Sequence, residues 1–389
     1  MTHPGPFEVT ERDRLDAHRP GEGWLDEHGF YTCRRWTASQ EGDRGFDTAY
    51  LVGRSPHDGR TGGLVPFHTA DGGDSNPLYN EATLLGRAPG VQVLAGSRTG
   101  YDNRVLLDPA LDGADRTALL SALCDRLLDR AEERGAGHVS WWYLPEAAAR
   151  ELAALPGVAT TAAPCLPTAV LRPRGDGLDA HVAALPASRR SLVRRDLKRL
   201  AAAGYRSRTV PTDPAALEAY APLVVQVQVR HGEELTEEGA VRYLRRCLSL
   251  GGPAAEGTGT GAPGDVVVTE VLDPTGRPVA FALGIVHGRG LHMRVFGCDY
   301  DGGHGGHGEY FEATVYGPLR HALERGLDEV HLGVTSYRAK SLRGAELRPR
   351  QTLFMSRADR RPPAPAPDWS FLGDDGRFLA GASSEVLPC

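Results

Sequence analysis

The stretch from 265 to 301 constrains the fold of this chain more than any other. DVVVTEVLD reads as a strand, PTGR as a turn, PVAFALGIVHG as a second strand, and GRG as a tight turn into a third, LHMRVFGCDYD. Apolar, β-branched runs of this length between Gly and Pro signals predict three antiparallel strands in succession. The glycine-rich GGHGGHG follows, then a helical stretch from about Glu309 to Arg325 with apolar residues at Phe311, Val315, Leu319 and Ala322, then the strand DEVHLGV. The order is β-β-β-α-β. Pro318 falls inside the helical stretch, and because proline lacks a backbone donor and crowds the preceding turn, it predicts a kink or a shortened regular part.

A fainter version of the same order comes earlier. FDTAYLVGR, GGLVPFHTA, QVLAGS and NRVLLD read as strands, ADRTALLSALCDRLLDRAEERG as an amphipathic helix, GHVSWWYL as a strand and PEAAARELAAL as a helix. The junctions repeat their wording: Glu133-Arg134-Gly135 before GHVSWWYL parallels Glu324-Arg325-Gly326 before DEVHLGV, with glycine where a helix C-cap belongs. The expectation is an α/β (α+β) chain with two copies of one fold, each a mixed, largely antiparallel sheet flanked by helices. PTAVLRPRG (167 to 175) joins them, placing the domains at 1–175 and 176–389. Within the second, GGPAAEGTGTGAPG (251 to 264) reads as a flexible loop and 360–389 as a proline-rich tail.

A length of 389 residues suits two domains, and 41% hydrophobic content supports a core in each. The six cysteines show no CxxC spacing, which suggests neither a zinc site nor a disulfide framework. The N-terminus is polar, and no apolar run approaches the ~18 residues needed to span a bilayer. A cytoplasmic protein without membrane insertion is expected. The net charge of −6 argues against coating nucleic acid over a wide surface. Locally the picture reverses: SRRSLVRRDLKRLAAAGYRSR (188 to 208) is the densest positive segment. It reads as a basic helix over 188–204 with Leu192, Leu197 and Leu200 inward and Arg194, Arg195 and Lys198 outward, suited to phosphates.

The segment from 265 to about 355 resembles the GNAT acyltransferase superfamily. More narrowly, HGEYFEATVYGPLRHALERGL followed by HLGVTSYRAKSLRGAELRPR is similar to tandem-GNAT proteins related to the Fem-type peptidyltransferases. Those relatives carry an aromatic-rich helix here and a lysine shortly before a glycine, which Lys340 and Gly344 match. The resemblance implies an N-acyltransferase that joins an activated acyl or aminoacyl group to an amine of a small molecule or peptide, in cell-wall or specialised-metabolite biosynthesis, without a tightly bound cofactor. Two co-substrates compete as donor. Aminoacyl-tRNA, its acceptor arm held by the basic helix, is slightly favoured; acyl-CoA, as in a GNAT N-acetyltransferase, is the alternative. The GNAT pyrophosphate loop reads Q/R-x-x-G-x-G/A, and its best counterpart, Gly303 to Gly308, lacks the leading Gln or Arg. Glycines before a helix still expose N–H groups toward a pyrophosphate or RNA phosphate. A third reading, from another class, is a non-catalytic module that recognises peptides or peptidoglycan precursors.

Amide formation requires a neutral amine, a donor for the developing oxyanion and an acid for the leaving group. The resemblance places the oxyanion donor on the third meander strand, around Phe296, Gly297 and Cys298. Gly306, Gly308 and Arg343 join Arg194, Arg195 and Lys198 as donor-binding candidates. Tyr337 is positioned to protonate the leaving group, and Asp299 and His307 are further catalytic candidates. His304, His307 and Glu309 form an H-x-x-H-x-E spacing, but the intervening glycines fix no helical face, and no metal is expected. Glu312 and Tyr316, one turn apart, would line an acceptor pocket, with Tyr101, Asp102 and Asn103 as a further polar wall. Lys340 is one of two lysines in a chain with 42 arginines. That bias marks it for chemistry needing a compact ammonium, in an exposed cleft.

Overall fold

The computed structural model describes residues 7–15, 22–43, 45–55, 58–86, 90–210, 214–251 and 266–382. The chain divides into two units, Met1–Pro167 with Pro349–Cys389, and Thr168–Arg348.

In the first unit β1 (Glu8–Arg12), β2 (Asp47–Arg54), β3 (Thr61–Asp71) and β4 (Val91–Ala95) pair antiparallel in chain order. The two-residue β5 (Leu106–Leu107) adds to β3. A helix over Gly113–Glu133 then leads to β6 (Val139–Leu144), which lies parallel to β4. Asp112 caps that helix, its Oδ1 accepting the amides of Ala114 and Asp115 at 2.9 Å. Its buried stripe, Leu119, Leu120, Leu123, Cys124, Leu127, Leu128 and Ala131, packs with Leu51, Val65 and Trp141 of the sheet.

β7 (Val158–Leu171) and β13 (Glu346–Arg357) each start in one unit and end in the other. In the second unit β8 (Arg206–Val210), β9 (Val266–Leu272), β10 (Pro278–His287) and β11 (Gly290–Cys298) form an antiparallel run. A helical segment from Glu309 to Glu324 crosses to β12 (Glu329–Gly333), parallel to β11, and residues 169–171 of β7 close the other side of β12.

Each unit thus repeats an antiparallel meander, a helix and a strand parallel to the last of the three. The capping repeats too. After each helix a glycine takes positive φ, Gly135 at 77° and Gly326 at 63°. The residue behind it donates back to the third residue from the helix end: Ala136 to Ala131 O, and Leu327 to Ala322 O, both at 2.8 Å.

The expected disturbance at Pro318 takes a defined form. Glu312–Tyr316 is a π turn, and Gly317 N donates to Glu312 O across it, so the wider turn absorbs the donor that proline lacks. Other expectations change. PTAVLRPRG is not simply a linker, since 167–171 finish the fourteen-residue β7. On the basic helix, which spans Ala187–Ala202, the buried residues are Val193, Asp196 and Leu200, while Leu192 and Leu197 are half-buried. Beyond the tail's prolines, Asp374–Ala382 is helical. The glycine-rich loop expected at 251–264 lies, from 252 on, outside the described residues.

Candidate active site

In the second unit β11 and β12 stay in register only over Gly290↔Glu329, Leu291↔Val330 and His292↔His331. From Met293 on, β11 pairs with β10 alone, so one edge of its backbone faces an opening between the two parallel strands. A bulge sits at the same place: Gly284 pairs Met293 and Leu283 pairs Val295, which leaves Arg294 as the extra residue. A bulge disrupts the ladder locally and re-aims the strand, so polar backbone groups become available beside the opening.

The glycine loop closes on itself. Glu309, wholly buried, turns its carboxylate back into the loop, Oε1 accepting Gly305 N at 3.0 Å and Oε2 accepting His307 N at 2.8 Å. Burial would raise its pKa, but these N–H groups outweigh burial and hold it below the usual carboxylate range. The anion that the loop was expected to recruit is therefore its own side chain. His304 and His307 are also engaged: His304 Nδ1 lies 2.8 Å from the Tyr205 hydroxyl and Nε2 3.1 Å from Arg277, and His307 stacks on Tyr205 at 5.3 Å. Asp299 accepts Gly302 N and pairs with Arg277, each at 2.9 Å. Burial pushes Asp299 up, and these two partners bring it below its ordinary value. Gly308 enters the helix at φ 106°, and Gly306 is exposed. Phe296 meets Tyr310 edge-on at 5.0 Å. Gly297 permits close packing, since a Cβ there would lie 2.4 Å from Phe281. Burial pushes the Cys298 thiol up to about 12, with Glu309 adding to the effect.

Glu309→Gln is expected to speed amide exchange at Gly305 and His307 at least about tenfold, because an amide NH₂ would then oppose backbone donors. Hydrogen exchange read residue by residue checks this, and an unchanged rate would show that the carboxylate does not order the loop.

Lys340 does not stand in an exposed cleft. It is 4% exposed, and its Nζ donates to Leu332 O at 2.7 Å and Val334 O at 2.8 Å, at the end of β12. Tyr337, on the same short helix (Tyr337–Ser341), is wholly buried. Arg343 is also buried, its guanidinium over the Phe311 ring. It donates to Asp196 Oδ2 at 2.5 Å, the Tyr316 hydroxyl at 3.1 Å and Ala339 O at 2.9 Å. The Tyr316 hydroxyl donates to Asp196 at 2.9 Å. Glu312 instead bonds Ser207 and Arg320. Glu312 and Tyr316 therefore serve separate networks rather than one wall.

Arg194, Arg195 and Lys198 are exposed on the basic helix, with no ion-pair partner among the described residues. One turn on, Arg199 donates to His307 O at 3.2 Å, tying the helix to the glycine loop.

The corresponding opening in the first unit is plugged. β4 and β6 pair at Leu94↔Ser140 and Ala95↔Trp141, and beyond them Asn103 fills the gap. Its Oδ1 accepts Ser97 N at 3.0 Å, its Nδ2 donates to Ala95 O at 3.2 Å and its own N donates to Tyr143 O at 3.1 Å. Asn103 is wholly buried, so it locks the loop instead of facing a ligand. Tyr101 and Asp102 are half-buried, Tyr101 against Tyr31 and Tyr143, Asp102 beside Arg104 and Arg350.

The sequence reading passed over His292, His331 and Glu329, which meet at the foot of the second unit's opening. One signal was present: both histidines are third in their strands, and a single crossover helix joins those strands.

Residues 187–341 match the model of the acetyltransferase (GNAT) domain. No curated protein sequence matches the chain. Among solved structures, FemX is 13% identical, covers 87% of this chain and 95% of its own, and has a TM-score of 0.55. A conserved protein of unknown function from Bacteroides thetaiotaomicron is 13% identical over 87% of this chain and 93% of its own, at 0.51. A tandem GNAT protein from the clavulanic acid biosynthesis pathway is 13% identical over 91% and 99%, at 0.50. Among the described residues no helix is long and apolar enough to cross a membrane. Residues 187–341 are thus similar to a GNAT domain, and the chain has the fold of a tandem GNAT protein.

Proposed function

We propose that the protein is an N-acyltransferase that moves an aminoacyl group from tRNA to an amine of a small molecule or peptide. The observation that supports this donor is the Glu309 carboxylate. It fills the backbone amides that a coenzyme A pyrophosphate would need, and displacing it would set two anions competing for one set of donors. Positive charge for a polyanion lies instead on Arg194, Arg195 and Lys198, on the helix that Arg199 ties to the loop. The opening beyond His292 and His331, where β11 parts from β12, offers a backbone edge where an ester carbonyl would find a donor for its oxyanion. Lys340 acts here as a positioning residue, holding the turn that ends β12. The domain's family name and the clavulanic acid pathway protein, solved without AcCoA, favour acyl-CoA as the rival donor.

Charge reversal at Arg194, Arg195 and Lys198 together is expected to weaken tRNA binding about 10²-fold near 0.1 M salt. It should also flatten the log–log salt dependence by roughly 2, since each lost phosphate contact removes about 0.7–0.9. Tight coenzyme A binding without RNA affinity at low salt would decide for the rival. Incubation with charged tRNA or acyl-CoA pools and a cell extract, followed by mass spectrometry for a new amide, tests transfer itself. No amide with either donor would leave a recognition module.

A further inference from the structure

His292 and His331 form the last registered pair before β11 and β12 part, and their rings stack at 4.1 Å with 12° between planes. Space for both comes from Gly290, where a Cβ would lie 3.1 Å from His292 Nε2 and 3.3 Å from His331 Nε2. Glu329, two residues before His331 on the same face, places Oε2 3.2 Å from His331 Nε2. Arg348 donates to Glu329 Oε2 at 2.9 Å and also to Oε1, and Arg172 lies 3.7 Å away. The His331 and Arg348 hydrogen bonds, against a smaller opposing effect of burial, hold Glu329 well below the carboxylate range. An ionised carboxylate at Nε2 selects the tautomer with the proton there, which leaves the His331 lone pair on Nδ1.

The rings lie on the sheet face opposite the helix that follows the glycine loop. Leu291, Val330 and Leu332, which alternate with the histidines, pack against Val315 and Tyr316 of the helix that follows the loop. The bulge residue Arg294 reaches Tyr243 of the helix Glu237–Leu250 at 3.4 Å. His292 is buried, and burial above all, then His331, His287 and Arg294, holds it neutral. His331 is half-buried and so reachable from solvent.

We propose that His331 is the general base for the acceptor amine, with Glu329 and His292 as its positioning residues and the amine entering on the sheet face opposite the helix that follows the glycine loop. This rests on the acyltransferase reading but not on the choice of donor. The amine nitrogen attacks the acyl carbonyl carbon, and as the C–N bond forms its proton passes to His331 Nδ1. The tetrahedral intermediate then expels the ribose oxygen, or the thiolate, by breaking the bond to carbon. His331 returns the proton to that leaving group, giving an amide, an alcohol or thiol, and a neutral imidazole.

With whichever donor pool yields an amide, His331→Gln is expected to slow single-turnover transfer about 10²-fold and to flatten the rise of rate with pH. Glu329→Gln should slow it about tenfold, and donor affinity should be unchanged in both. A His331→Gln variant that keeps the wild-type pH profile overturns the assignment. Nitrogen NMR of the imidazole rings decides without activity: the neutral His331 ring should carry its proton on Nε2, and a neutral ring with its proton on Nδ1 overturns the proposal. Failure of the donor reading appears differently, as absent RNA affinity with the ring tautomer intact.

Discussion

Replacing Lys340 by methionine is expected to lower the melting temperature by roughly 6–12 °C, equivalent to about 3 kcal/mol in a unit of this size. The loss has two sources. The carbonyls of Leu332 and Val334 lose a charged donor in a buried place, and unsatisfied buried acceptors cost about 1–3 kcal/mol. The ammonium also stabilises strained backbone: Thr335 and Ser336, in the turn that follows β12, have φ of 62° and 51°. For a β-branched residue that is a genuine outlier, costing on the order of 1–3 kcal/mol. Changing Thr335 and Ser336 to glycine in the Lys340→Met background should therefore restore about half of the lost stability. Lys340→Arg should recover little, because a planar fork cannot take the place of a compact donor at two carbonyls two residues apart. A melting temperature unmoved by Lys340→Met would sink this account and return the lysine to a purely chemical role.

A comparable loss is expected from Arg343→Met, about 3–5 kcal/mol, because it leaves the buried Asp196 carboxylate with the Tyr316 hydroxyl and, at 4.0 Å, the exposed Arg199 guanidinium in place of its close buried cation. Asp196→Asn added to Arg343→Met should be markedly less destabilising than Arg343→Met alone, since no buried charge then remains. Urea denaturation of the two single variants and the double variant measures the coupling. Additive losses would show that the pair contributes no mutual stabilisation.

What could be read from the sequence followed from local signals. The meander at 266–298 is written in β-branched residues between tight turns, and Gly135 and Gly326 mark helix ends because only their αL conformation closes the cap. β7 and β13 escaped notice because Pro164, Pro167 and Pro349 interrupt their patterns, although proline is admissible where a strand lacks a partner for its amide. The site was less legible. Arg343 and Asp196 are 147 positions apart, and no local pattern announces their meeting. Glu309 was visible as part of a metal-like spacing, but its actual role depends on loop amides folding back over it. Lys340 was noticed for its rarity, and rarity does not distinguish a buried ammonium from an exposed one.

The Glu309 carboxylate in the glycine loop also bears on how such a protein can change. A loop that supplies its own counter-charge is ordered before any donor arrives, and under the proposed function a polyanionic donor would be held by cations on a different element, the helix Ala187–Ala202. Donor capture and the geometry of bond formation would then reside in separate stretches of chain. Substitutions that retune one need not disturb the other, which gives the scaffold freedom to exchange donors over time while its reaction centre stays intact.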